Sequence, residues 1–309
     1  MAKVRLNANS VWPSDNYNSI TLQDFAKRVA AKTNGEVEIV VHAGGALGYK
    51  GPELLGAVKD GVVPISDMLT SGVAASEPLC NIVTLPFLVR GFDEGRTLAE
   101  ISRPYFDKTL GTKWNQKILY ITPWPPAGLW TKREIKNVAD MKGLKTRTYD
   151  ENGARFMKAV GATPYALPSS EVRSSLVAGV IDSVLTSTPT AVDAKFWEVL
   201  NYFHRIDVTM ATDLVTINMD VFKKLDPKLQ QAILDAGRET EESIWKKVAE
   251  LDKSMEAVCN KNGIKSVPVS KEMMDQLFAI TENIRQDWLK QAPPEAREIV
   301  GKFLKAVGR

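Results

Sequence analysis

The chain has 309 residues, 44% of them hydrophobic and 25% charged, with a formal net charge of +3. That is enough chain to bury a sizeable core and to form two domains. There is no Lys/Arg run of the kind that grips phosphates, which excludes nucleic acid as an expected partner. No apolar stretch approaches the roughly 18 residues of a membrane-spanning helix.

The opening segment, "MAKVRLNANSVW", has no apolar h-region and enters an alternating strand pattern at Val4, Leu6 and Ala8. This fits a cytoplasmic protein, or a mature exported one whose leader is absent from the chain. A helical pattern over residues 21–33 stops at Asn34-Gly35, and "EVEIVVHAG" reads as a strand. A Gly-rich loop leads to a helix over residues 53–60 and a strand in "PISDML". Further strands are predicted at residues 117–122, 128–131, 145–149, 163–166 and 182–186. The alternation makes this an α/β protein.

"PELLGAVKDGVVPIS" (52–66) and "SEVRSSLVAGVIDSV" (170–184) share a plan, with Glu53 matching Glu171 and Gly61 matching Gly179. Each reads as an amphipathic helix whose terminal Gly turns into a strand. Two copies point to two lobes built from one supersecondary unit. Asp226-Pro227 then opens a helical pattern that runs to residue 262, with Gly237 inside it. About 35 residues at about 1.5 Å each span about 50 Å, more than one small domain. Its apolar positions form no sustained heptad, so the helix is expected to span both lobes rather than leave as a coiled coil. Two lobes so braced would leave a ligand cleft between them.

Catalytic groups are scarce. The two histidines, His42 and His204, have no partner at metal-ligand spacing. There is no Gly-x-Ser-x-Gly elbow and no Walker loop, and Gly44, Gly45 and Gly48 read as a turn. The two cysteines, Cys80 and Cys259, make neither a metal spacing nor a disulfide framework. No catalytic residue, cofactor or metal is expected, and a chain without such groups is expected to bind rather than convert. One strand raises a question. In "MKGLKTRTYD" (141–150), Lys145, Arg147 and Tyr149 alternate with Leu144, Thr146 and Thr148. Arg147 is either the wet side of an edge strand or a guanidinium waiting for a carboxylate.

At this point the chain resembles the solute-binding subunits of tripartite ATP-independent periplasmic (TRAP) transporters, of the DctP type. The motifs that carry the resemblance are "LGYKGPELLGAVKDGVV", "LPFL", "DMKGLKTRTY", "AVGATPYALPSSEVRSSLVAGVID" and "KFWEVLNYF", in that order. The resemblance covers nearly the whole chain. It implies a two-lobed periplasmic-binding-protein-like α/β fold with a ligand cleft between the lobes. It implies a periplasmic receptor, leader removed, that closes on a small organic acid and hands it to a membrane permease. Lobe I would take residues 1–121 and 208–250, and lobe II residues 122–207 and 251–309, with the helix at about 227–262 crossing both. The receptor is expected to be a monomer.

The family's signature arginine, which pairs with the ligand carboxylate, corresponds to Arg147. A guanidinium offers two parallel N–H donors to the two carboxylate oxygens. The sequence departs from the family pattern elsewhere. In "WPPAGLWTKREI" a second arginine is replaced by Trp130, or by Lys132 if the loop is shorter. In "DSVLTSTP" the usual ligand-binding Asn becomes Thr186, and Ser187 follows it. Ser169 stands where an aromatic is common. Losing a cation leaves a dicarboxylate with one unpaired charge, so a monocarboxylate with an apolar or aromatic body is expected. Trp12, Trp130 and Phe87 would supply flat walls, and Asn9, Thr70, Tyr149 and Met210 further contacts.

Two alternatives remain. One is a C4-dicarboxylate or hydroxy- or keto-acid receptor of the same family. The other is an organic-acid lyase on a two-lobed fold, for which His42 and Asp182 are the available bases.

Overall fold

The computed structural model describes residues 3–309. In chain order, the first elements are β1 (Val4–Asn9), α1 (Tyr17–Lys32), β2 (Val37–His42), α2 (Glu53–Lys59), β3 (Ile65–Leu69), α3 (Phe92–Trp114) and β4 (Gln116–Pro123). The middle of the chain forms β5 (Gly128–Thr131), β6 (Lys145–Thr148), α4 (Glu151–Ala159), β7 (Thr163–Ala166), α5 (Val172–Val177), β8 (Ser183–Thr186), α6 (Thr188–Asp193) and β9 (Tyr202–His204). It ends with β10 (Thr212–Asn218), α7 (Met219–Lys223), α8 (Pro227–Lys261), β11 (Lys265–Val267), α9 (Lys271–Gln291) and α10 (Pro294–Ala306). The expected α/β class is what the chain adopts.

The described residues up to Cys80, with Ala99–Pro123 and Thr212–Val248, form a first unit. Its sheet has the order β2-β1-β3-β10-β4, with β1 parallel to β2 and β3, and β10 antiparallel to β3 and β4. Leu22, Phe25, Ala26 and Val29 recur at helical spacing on α1 and bury against Leu6, Val37, Ile39 and Tyr120. α1 starts at Tyr17, earlier than the apolar periodicity indicates, because the Asn16 side chain accepts a hydrogen bond from Asn18 N and caps it. β10 escaped the sequence reading. All seven of its residues are buried, so "TDLVTIN" lacks the alternation of a half-exposed strand.

The second unit holds Asn81–Leu98, Trp124–Ala211 and Ala249–Arg309. Its sheet runs β11-β9-β5-β8-β6-β7. β5 is antiparallel to β8 and β9, and β6 lies parallel between β8 and β7. One set of buried side chains gathers Leu129, Leu144, Phe156, Leu185 and Leu277, and another gathers Trp130, Val184, Phe196, Phe203 and Cys259. The alternation of Leu129 and Trp130 on β5, and of Val184 and Leu185 on β8, divides them between the two sides of the sheet.

α8 starts where Asp226-Pro227 indicates, with Asp226 Oδ1 accepting from Lys228 N at 2.8 Å. Residues up to Val248 belong to the first unit and those from Ala249 to the second. The two similar segments adopt the same form: α2 and α5 are each followed by a left-handed glycine, Gly61 at φ +72° and Gly179 at φ +71°, and then a strand.

Candidate functional site

Arg147 sits in the second unit on β6, which has a neighbour on each side: Arg147 pairs with Val184 of β8 and with Tyr165 of β7. It is therefore no edge residue, and only 5% of it is exposed. Its Nε donates to Leu167 O at 3.0 Å. No described carboxylate lies within salt-bridge range of the guanidinium, and Nη1 and Nη2 have no acceptor among the described residues. Burial pulls the guanidinium down to about 10, against the favourable fields of Tyr149 and Asp150, so it is a cation at neutral pH. A buried cation with no carboxylate in salt-bridge range is costly for a protein to hold. Nη1 and Nη2 can donate in parallel to a carboxylate.

The register places further groups beside it. β6 and β8 run parallel with Arg147 opposite Val184, so Thr186 lies two residues beyond Val184, toward Tyr149. Thr186 is buried, and Ser187, also buried, precedes α6 with its hydroxyl making no capping bond. The Tyr149 hydroxyl shares a 2.5 Å hydrogen bond with Thr209 Oγ1, and burial pushes the phenol up, keeping it neutral. Asp150 caps α4, its Oδ1 accepting from Gly153 N at 2.7 Å.

Trp130 and Phe87, expected as flat walls for a ligand, are both buried among other aromatic rings. Trp130 is fully buried, stacked on Phe203 with centroids 4.0 Å apart and edge-on to Phe196 at 5.7 Å. Its Nε1 donates to Thr186 O at 2.9 Å, so the indole already has both its apolar and polar partners. Phe87, at φ +52°, sits in the core between Phe278 and Phe156, at 4.9 and 6.0 Å. Lys132, the other candidate for the second cation, donates from Nζ to Leu176 O at 3.1 Å. Ser169 lies exposed in a 3-10 turn, Ser169–Glu171. Met210 is buried, with its sulfur over Gly95, 2.7 Å from where a Cβ there would stand.

The first unit holds the other predicted residues in a buried polar cluster. Asn9, at the end of β1, donates through Nδ2 to Ser66 Oγ at 3.3 Å, while its Oδ1 has no donor. Trp12 Nε1 donates to Asp213 Oδ2 at 2.8 Å, and Asn18 Nδ2 to the same oxygen at 3.1 Å. Thr70 Oγ1 donates to Thr212 O at 2.8 Å. Asp67 accepts from Ser10 Oγ at 3.2 Å and faces Asp213. Burial first, and the Asp213 charge second, hold its carboxyl well above the usual range, so the pair shares a proton. Sequence reasoning missed Asp67 and Asp213. The available signal was a lone carboxylate inside a strand whose other residues carry no charge.

The bases available to a lyase are already engaged. His42 Nε2 bonds Asn7 Oδ1 at 3.0 Å, and Asp182 Oδ1 accepts from Lys145 N at 2.9 Å. His204 is buried with both ring nitrogens in use: Nε2 accepts from Ile135 N, and Nδ1 lies 3.2 Å from Leu129 O. Both cysteines are free thiols. Among the described residues no His/Cys/Asp/Glu group is arranged to hold a metal ion, and no helix is long and apolar enough to cross a membrane.

A family model described as bacterial extracellular solute-binding protein, family 7 (DctP), matches residues 8–291. The chain belongs to that family. Members of family 7 are TRAP transporter receptors that bind small organic acids and work with a membrane permease; they are solute-binding proteins rather than enzymes, and act outside the cytoplasm. This family 7 protein is similar to the Bordetella pertussis extracytoplasmic solute receptor DctP7, which binds pyroglutamic acid: 30% identity, TM-score 0.92, covering 97% of this chain and 99% of that one. A marine metagenome TRAP solute-binding protein specific for pyroglutamate is 28% identical, with TM-score 0.91 and 99% and 100% coverage. A monocarboxylate 2-oxoacid-binding periplasmic protein of Nostoc sp. is 26% identical over 93% of this chain and 80% of its own length.

Proposed function

We propose that this protein is an extracytoplasmic receptor for a small monocarboxylic acid, of the pyroglutamate class, which it delivers to a TRAP permease. Arg147 receives the carboxylate through Nη1 and Nη2 in a bidentate pair, and Thr186, Ser187 and Tyr149 accept or donate hydrogen bonds to the rest of the molecule. One observation carries this reading: a buried guanidinium in mid-sheet with no carboxylate partner among the described residues. Trp130 and Lys132 both have internal partners, which supports one ligand charge rather than two. The relatives at 28–30% identity support a lactam acid in place of the aromatic body expected from the tryptophans.

The test is thermal unfolding with L-pyroglutamate. At a hundredfold excess over Kd, the ligand adds about 2.7 kcal/mol of stability and raises Tm. Arg147→Ala should lose that shift, with a cost to binding of about 2–5 kcal/mol. The unliganded variant should melt near the wild type, since the side chain gives up a single hydrogen bond, worth about 1 kcal/mol. Undiminished binding by Arg147→Ala would overturn the assignment.

A further inference from the structure

Asp150 follows Arg147 by three residues, at the turn from β6 into α4. Capping explains only half of it. Oδ1 takes the Gly153 N–H, while Oδ2 is buried with no donor closing a hydrogen bond to it, the Thr84 hydroxyl lying only near enough to favour the charge. Asn or Ser would cap the helix equally well and carry no charge. The capping role therefore accounts for an oxygen, not for an anion.

The groups around the carboxylate are few. Thr84 and the Gly153 N–H favour its charged form, and Arg147 is the cation acting on it. Glu151 opposes that charge, and the neutral Tyr149 phenol lies between Asp150 and Arg147 in sequence. Burial dominates and pushes the carboxyl up to about 6, so near neutral pH it stands close to its titration point.

We propose that Asp150 is a specificity-determining residue of the Arg147 site: its buried carboxylate offsets part of the guanidinium's field, so the site favours monoanions over dianions and takes up a proton as the anion binds. This deepens the reading of Arg147 as the carboxylate receptor and rests on it. A buried negative charge repels each unit of ligand charge, so a dicarboxylate is penalised more than a monocarboxylate. When the ligand carboxylate pairs with Arg147, the cationic field that kept Asp150 ionised is cancelled. Its proton affinity then rises, and a proton from solvent binds to the carboxylate oxygen.

The experiment is calorimetric titration of the wild type, Asp150→Asn and Asp150→Ser with L-pyroglutamate and with succinate, at pH 6.5 in two buffers of different ionisation enthalpy. Both variants retain a helix cap, so their unliganded melts should match. The wild type should take up a fraction of a proton per pyroglutamate and both variants none, while succinate should gain more affinity than pyroglutamate does, by up to about fourfold at this pH. An unchanged ratio of the two affinities, or equal proton uptake in wild type and variants, would overturn the proposal. A ligand-free readout is the Asp150 carboxyl titration by NMR in wild type and Arg147→Ala. Its midpoint should rise when the guanidinium is removed, and an unmoved midpoint overturns the proposal whether or not either acid binds. Loss of pyroglutamate binding in Arg147→Ala is read separately and tests the carboxylate assignment alone.

Discussion

At the scale of single residues, the two units bury charge in opposite ways. Arg147 is a cation with no carboxylate in salt-bridge range, whereas Asp67 and Asp213 are two carboxyl groups placed together and reconciled by one proton. The sign of the pH effect follows. The folded-state proton affinity of Asp67 is raised, so its stabilising contribution is complete below the ordinary carboxylate pKa of about 3.9 and is lost as pH rises through the raised value. In Asp67→Asn the amide N–H₂ takes over the role of the shared proton, and the amide oxygen still accepts from Ser10. Relative to wild type, this variant should gain stability between pH 5 and pH 8, on the order of 1–3 kcal/mol. Urea denaturation at the two pH values measures the difference, and a difference independent of pH would show that the pair carries no shared proton. Residue identity alone does not place Trp130. A tryptophan in an expected arginine position suggests a ligand wall, while its stacking on Phe203 and edge contact with Phe196 are decided by segments far apart in the chain.

At the scale of elements, Gly237 shows how far propensity can mislead. A glycine inside a long helix should be improved by alanine, by about 1 kcal/mol. Here a Cβ would stand 2.4 Å from Leu119 O, in the backbone of β4, which has no rotamer to yield. Gly237→Ala should therefore destabilise the protein, by about 1–3 kcal/mol as for other overpacked sites, read as a lower denaturation midpoint. A midpoint at or above wild type would mean that the helix and strand can separate freely. β6 teaches the complementary lesson. Its alternation of Lys145, Arg147 and Tyr149 was visible in sequence, but whether Arg147 faced water depended on β7 and β8 lying on both sides of the strand.

At the scale of the whole molecule, the chain passes repeatedly between its two units, and α3 and α8 each contribute residues to both. Phe106 of α3 belongs to the first unit and Leu98 to the second; Ile233 and Cys259 of α8 divide in the same way. Melting one unit would unravel backbone hydrogen bonds in helices that the other needs. Calorimetry should show a single transition with equal van't Hoff and calorimetric enthalpies, and two resolved peaks would show that the units unfold independently.

Periodicity, caps and glycine turns are local, so the sequence by itself determined the α/β class, the start of α8 at Asp226-Pro227, the paired helix–glycine–strand segments and Arg147 as a marked residue. Its motifs were also enough for the family. Only the tertiary structure decided that Trp130 and Phe87 are core, that Lys132 is tied to a carbonyl, and that Asp67 meets Asp213 while Asp150 stands beside Arg147. Those outcomes depend on which distant strands become neighbours, and burial and charge act through space rather than along the chain.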